Sequence, residues 1–319
     1  MDILPLLACC TPLVPALTVR HLALITHAVL SMSGRITMLG ISRWTDKGGS
    51  YRTVQRFFAT VVPWTPLLVK FFVTHLFHPE REYILAGDET VVSKAGTQTF
   101  GVDRLFSGLK GKVIQGLGIF VFSLVDITER SAYPLAVKQM ARSEEEKKAL
   151  QERKKRRLKK PRKGSVPALG RPKGSRQRDK NELKLSPELL RISELLICLL
   201  KLLKPFVQVK YLALDGHFGH HQAVLMAREH DLHIISKMRR DTALYEKYAG
   251  AYGGRGARKK YGQRLKYDLL PPQYLKRSEQ EKEIITNYYQ YLRQIWRGRK
   301  IRIVANKRAL KNARKRSDN

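Results

Sequence analysis

Acidic residues are few in this chain beside its basic ones. Only 27 Asp and Glu stand against 61 Lys and Arg over 319 residues, a formal charge of +34. So large an excess of one sign costs self-repulsion unless the partner is a polyanion. Cysteine is scarce too. Cys9, Cys10 and Cys198 are too few and too irregularly spaced for a disulfide framework or a zinc knuckle, and they fit a reducing cytosol. No stretch reaches the roughly 18 uninterrupted apolar residues of a membrane span. Residues 3–19 are uncharged and apolar, but they follow Asp2, lack a basic flank and are broken by Pro5, Pro12 and Pro15, which argues against an export signal. An anionic membrane surface would call for an amphipathic basic helix or an anchor, and neither is evident. Nucleic acid is the partner class that is left, with a cytoplasmic, nucleoid-associated location. The length suffices for a substantial core and two domains.

What the chain does have is two short apolar runs, each ending in an aspartate. Tyr83, Ile84, Leu85 and Ala86 are followed by Gly87 and Asp88; Tyr211, Leu212, Ala213 and Leu214 are followed by Asp215 and Gly216. A run apolar on both faces suits a strand in the middle of a sheet. Either aspartate alone can simply start a turn. Together, on neighbouring strand ends, they can hold a divalent metal, because hard cations take carboxylate oxygens.

The remaining elements follow from periodicity. Helices are expected over residues 18–32, 36–44, 51–60 (capped by Ser50) and 65–77 (capped by Thr65). Short helices joined by glycine-rich turns resemble a helix-turn-helix unit, with Arg43, Lys47, Arg52 and Arg56 as its DNA-facing charges; a helical bundle with solvated charges accounts for them equally well. Strands are expected near 99–106, 116–126 and 131–140, then a strongly apolar helix opening at Ser186-Pro187-Glu188. After the strand ending at Asp215 come a helix over 220–230 and a strand over 233–237. Lys94, Lys110 and Lys112 either meet phosphates or solvate loops.

Between residues 147 and 180 there are sixteen basic residues and two acidic ones, a net charge of +14. Its breaker-rich part is too polar to pack and is expected to be disordered without a ligand. Arg162, Lys163, Arg171, Lys173 and Arg176 are its candidate DNA contacts. Gly170-Arg171-Pro172 resembles the centre of an AT-hook, which reads A·T-rich minor grooves; a basic arm gripping phosphates is the generic alternative. The organisation expected is a helical DNA-binding domain over 1–80 and a sheet core in two parts, 81–141 and 186–248. The basic insertion over 142–185 separates those parts, and a basic irregular tail occupies 249–319.

Asp88-Glu89-Thr90, Lys94, the segment from Phe100 through Asp103 to Phe106, and Asp215-Gly216-His217-Phe218-Gly219 resemble bacterial insertion-sequence transposases of the DDE class. The resemblance covers residues 31–290. It implies an α/β fold, an RNase H-like mixed-sheet catalytic core preceded by a small all-α domain. It also implies metal-dependent DNA strand cleavage and strand transfer, with Asp88 and Asp215 as the two catalytic, metal-holding aspartates and Mg²⁺ or Mn²⁺ as the cofactor. Its partners would be double-stranded DNA, at the element's ends and at the target, and a second copy of the chain.

The class also uses a glutamate on a late helix, within a Tyr-x2-Arg-x3-Glu-x6-Lys spacing. Tyr274, Arg277 and Glu281 meet the first three intervals, but Tyr288 stands where Lys is due, and this reads as coincidence. The chain is therefore expected to be truncated before its third carboxylate, leaving the catalytic core incomplete and the chain inactive on its own. Two other functions stay open: a catalytically dead DNA-binding regulator of transposition, and a di-metal hydrolase using Asp215 with His217, His220 and His221.

Overall fold

The computed structural model describes residues 3–44, 50–96, 98–158, 185–237, 244–254, 256, 259, 261–266, 272–281, 284–296 and 299–310. The chain divides into two compact units, Met1–Lys237 and Met238–Asn319.

The first unit opens with helices α1 (Leu4–Leu7), α2 (Ala16–Ser31), α3 (Met38–Trp44), α4 (Tyr51–Ala59) and α5 (Trp64–His75). Apolar spacing places these helices well; capping is where the sequence reading departs from the structure. Ser50 stands at the N-cap of α4 but makes no capping hydrogen bond. Helix α5 begins at Trp64 with Pro63, not Thr65, at its cap, and no side chain caps it. Val69 and Phe72 of α5 belong to the core beneath the sheet. Ala28, Ile41 and Val54, from α2, α3 and α4, form a smaller cluster of their own.

Six strands then build a mixed sheet: β1 (Tyr83–Ser93), β2 (Asp103–Ser107), β3 (Lys112–Asp126), β4 (Ser131–Gln139), β5 (Tyr211–Leu214) and β6 (His233–Ser236). The order is β2-β3-β1-β5-β6, and β4 pairs with β3 over residues 119–126. Strands β1 to β4 form antiparallel pairs, whereas β1–β5 and β5–β6 are parallel. Parallel neighbours need a long crossover. Helices α6 (Glu144–Leu158) and α7 (Pro187–Leu203) lie in the first crossover and α8 (His221–Glu229) in the second.

One face of this sheet is closed by α7. Its Leu189, Ile192, Leu196, Leu199 and Leu203 recur every three or four residues and are all buried, as one stripe of a helix demands. Ser186 caps the helix by accepting the Leu189 N–H at 3.2 Å, with Pro187 in the first turn, as the Ser-Pro-Glu sequence predicts. Under the helix, β3 alternates strictly, with Phe120, Phe122 and Leu124 pointing inward and fully buried. Each buried phenylalanine or leucine contributes about 1.5–3 kcal/mol.

Among the described residues of the second unit, strands β7 (Tyr245–Lys247), β8 (Tyr261–Arg264), β9 (Leu275–Glu281), β10 (Ile284–Trp296) and β11 (Arg299–Leu310) form an antiparallel sheet, ordered β11-β10-β7-β8 with β9 on β10. This corrects the expectation of an irregular tail. Residues 284–296 are rich in Ile and Tyr, which suit a pleated strand. Their partners are the adjoining segments, so the ladder needs little apolar periodicity to form. No single helix among the described residues is long and apolar enough to cross a membrane.

Candidate active site

The register of the two central strands decides where the aspartates stand. Leu85 pairs with Leu212, Ala86 with Ala213 and Gly87 with Leu214. Asp88 and Asp215 follow one step beyond the last pair, on strands that neighbour each other at about 4.8 Å. Leu85 and Gly87 are buried on the α7 side, as are Leu212 and Leu214. With a period of two, Asp88 and Asp215 come to the opposite face, and both are exposed.

Strand β1 does not end at Asp88, as the Gly-Asp pair suggests. It continues to Ser93 because β3 goes on pairing with it, Asp88 against Val121 and Ser93 against Gly116. Only the parallel partner stops there. At Asp215 the chain leaves β5 for a 3-10 turn, Gly216–Phe218.

Local contacts fix both carboxylates. Asp88 Oδ1 accepts the Glu89 N–H at 2.9 Å. Asp215 Oδ1 accepts the His217 N–H at 3.0 Å, and the Asp215 carbonyl accepts the Ser236 hydroxyl at 2.7 Å. Phe218 reaches down into the core and meets Phe120 edge-on, with ring centroids 5.9 Å apart, which anchors the turn behind Asp215. Two glycines let these parts come so close. A Cβ at Gly87 would lie 2.8 Å from side-chain atoms of both Leu214 and Phe120, and one at Gly219 would lie 2.4 Å from the Lys237 carbonyl oxygen.

On the α7 side of the same strand ends lies a group of ionisable residues that sequence reasoning did not assign to the site. His217 Nε2 sits 3.3 Å from Glu188 Oε1, at the first turn of α7. The bond to His217 holds the Glu188 carboxyl below the usual carboxylate range, and the same bond raises the His217 imidazole. Glu89, half-buried next to Asp88 in sequence but turned to the other face, is pushed up by burial and then by the neighbouring Glu188 charge. Arg142, bound to Asp103 at 2.9 Å, offsets part of this. Each acid alone is placed by its neighbours, Glu188 in the first turn of α7 two residues past the Ser186 cap and Glu89 on the strand face opposite Asp88, but no local pattern brings the two together.

The DNA-facing expectations are placed in part. Arg43 lies on α3, and Arg52 and Arg56 lie one turn apart on α4, all three exposed. Lys47, Arg162, Lys163, Arg171, Lys173 and Arg176 lie outside the described residues. Glu281 closes strand β9 in the second unit, whereas the glutamate of the resemblance sits on a helix. His217 is bound to Glu188, and the His220 side chain caps α8 through the Ala223 N–H at 3.5 Å. Among the described residues no group of three His, Cys, Asp or Glu side chains is arranged to hold a metal.

A mixed sheet in this order, flanked by helices and carrying two aspartates one step past the last pair of its parallel β1–β5 ladder, is an RNase H-like core. The chain matches the family described as DDE superfamily endonuclease over residues 12–302, and it belongs to that family. No curated protein matches it. Membership makes it a transposase-like endonuclease of a family that acts on DNA and typically uses divalent metal.

Proposed function

We propose that the chain is the transposase of an insertion sequence, cutting DNA at the element's ends with Asp88 and Asp215 as its catalytic carboxylates. The observation that carries this is the shared register: two aspartates, 127 residues apart in sequence (215 − 88), occupy equivalent steps on adjoining strands and face the same way. Asp88 and Asp215 would hold Mg²⁺ or Mn²⁺. Their donor set fits, being anionic oxygen only, and no cation among the described residues pairs with either carboxylate. Ions bound there supply Lewis-acid polarisation of the scissile phosphate and a more acidic attacking hydroxyl. The protein's part is orientation. The Glu89 and His217 amides each tie down one carboxylate oxygen, so the other is aimed without further ordering.

The helical segment with Arg43, Arg52 and Arg56, and the basic arm within 142–185, would hold the duplex by its phosphates. Deleting residues 159–184 should weaken binding to every duplex and flatten its salt dependence, since each phosphate contact contributes about 0.9 to the log-log slope.

A second reading is a DNA-binding regulator that does not cut. One observation favours it: Glu281 lies on a strand, and among the described residues no α-helix follows α8 to carry the late glutamate of the resemblance. A nicking assay separates the two. The purified chain is incubated with duplex carrying the element's ends, with and without Mn²⁺. Metal-dependent nicks that vanish in Asp88→Asn support the transposase, and Glu281→Gln then shows whether that residue takes part. Tight duplex binding without nicks supports the regulator.

A further inference from the structure

We propose that the β2–β3 hairpin is a second DNA-contacting element, setting an apolar wedge against the bases of the duplex that Asp88 and Asp215 cut. The proposal rests on the DNA-cleaving function above and adds to it a site remote from the carboxylates.

The hairpin exposes three large apolar side chains close together in sequence. Phe106 faces Val113 across the two strands, and these side chains are 64 % and 51 % exposed. Leu109, at the tip, is 98 % exposed. An apolar side chain in water at a hairpin tip gains nothing for folding. The surroundings state what it fits. Residues 104–115 contain Arg104, Lys110 and Lys112 and no acid, and these three cations are exposed. Apolar side chains ringed by cations are the chemistry of minor-groove proteins, which unstack a base step with a wedge while Lys and Arg hold the flanking phosphates.

Position ties the hairpin to the cleavage site. Asp88 lies opposite Val121 on β3, and Val121, Ile119, Leu117, Gln115 and Val113 alternate along one face of that strand. Phe106, opposite Val113, shares that face. Val113 is eight residues from Val121, about 26 Å along the strand, or about eight base pairs of duplex at 3.4 Å each. A duplex lying along this face therefore meets the carboxylates at one end of its contact and the wedge at the other.

The test uses the full chain, a labelled random-sequence duplex, and the same duplex carrying a fluorescent base analogue that brightens on unstacking. Leu109→Ser and Phe106→Ser should each weaken binding by about tenfold, leave the salt slope unchanged and abolish the brightening. Lys110→Ala with Lys112→Ala should instead lower the slope by about 2. Leu109→Met should restore binding and brightening. All these side chains are exposed, so circular dichroism should stay as in the wild type. Wild-type binding and brightening by both serine variants would overturn the proposal, and so would a chain that binds no duplex. If the serine variants fail to bind while the wild type never nicks, the hairpin's role stands and the cleavage function falls. If the wild type nicks and the serine variants behave identically, the reverse holds.

Discussion

On one face of the six-stranded sheet, Leu85, Phe120, Phe122, Leu124 and Leu212 lie under the leucines of α7, fully buried. On the other face the same strands present Asp88, Asp215, Val92, Val137, Tyr211 and Ile235, all exposed to a substantial degree. The two faces are one residue apart along β1, β3 and β5. The difference shows how such a core separates its tasks. Burial on the α7 side supplies the folding free energy, so the other side is free to carry charge that would be ruinous inside.

Substitutions on each face should therefore fail differently. The largest effect is expected at Asp88→Asn and Asp215→Asn: nicking should fall by about a thousandfold or more while the melting temperature stays within a degree or two. A matching loss of stability would mean the carboxylates are structural. On the buried side, Phe122→Ala should cost about 3–5 kcal/mol of stability, read as a fall in denaturant midpoint. A cost under about 1 kcal/mol would show that α7 does not close that face as tightly as the burial implies. At the rim of α7, Ser186→Ala should cost about 1 kcal/mol, and Ser186→Asp should recover most of it.

The smallest effect lies where the faces meet, at Glu188 and His217. The bond raises the His217 pKa, so its contribution is fully present below about 6.5 and is lost as pH rises through the higher folded value; it lowers the Glu188 pKa, so that part is present above 4.5 and lost as pH falls through the lower one. Both side chains are a third or more exposed, and the pair is worth at most about 1 kcal/mol. The melting-temperature gap between wild type and Glu188→Gln should be widest between about pH 4.5 and 6.5 and shrink above neutrality. A gap that does not vary with pH would assign Glu188 to helix capping alone.

Much of the α7 face was legible in the sequence, because apolar spacing reports burial directly. The runs before Asp88 and Asp215, the stripe from Leu189 to Leu203 and the cap at Ser186 all carry that signal. The far half of β1 was not legible: Gly87 and Asp88 read locally as a strand end, and only the nonlocal ladder to β3 keeps residues 89–93 extended. Glu89 and Glu188 escaped for a related reason, since nothing local reveals that two acids from separate elements share one side of a sheet. The strands beyond residue 249 were missed because their composition is charged and their pairing is with immediate neighbours, where turn geometry sets register in place of a hydrophobic pattern.

The three-residue ladder between β1 and β5 also sets a timetable. Leu85 meets Leu212 only after 127 further residues (212 − 85) have been made, about 6–25 s of ribosome time at ordinary rates. Between the completion of β4 at Gln139 and that of α7 at Leu203, the nascent meander of β1 to β4 holds Phe120, Phe122 and Leu124 without α7, offering an oily surface and the unpaired edge of β1 to any neighbour. Chaperone capture of the unfinished chain, and a sharp dependence of soluble yield on growth temperature, are the consequences to look for at the bench.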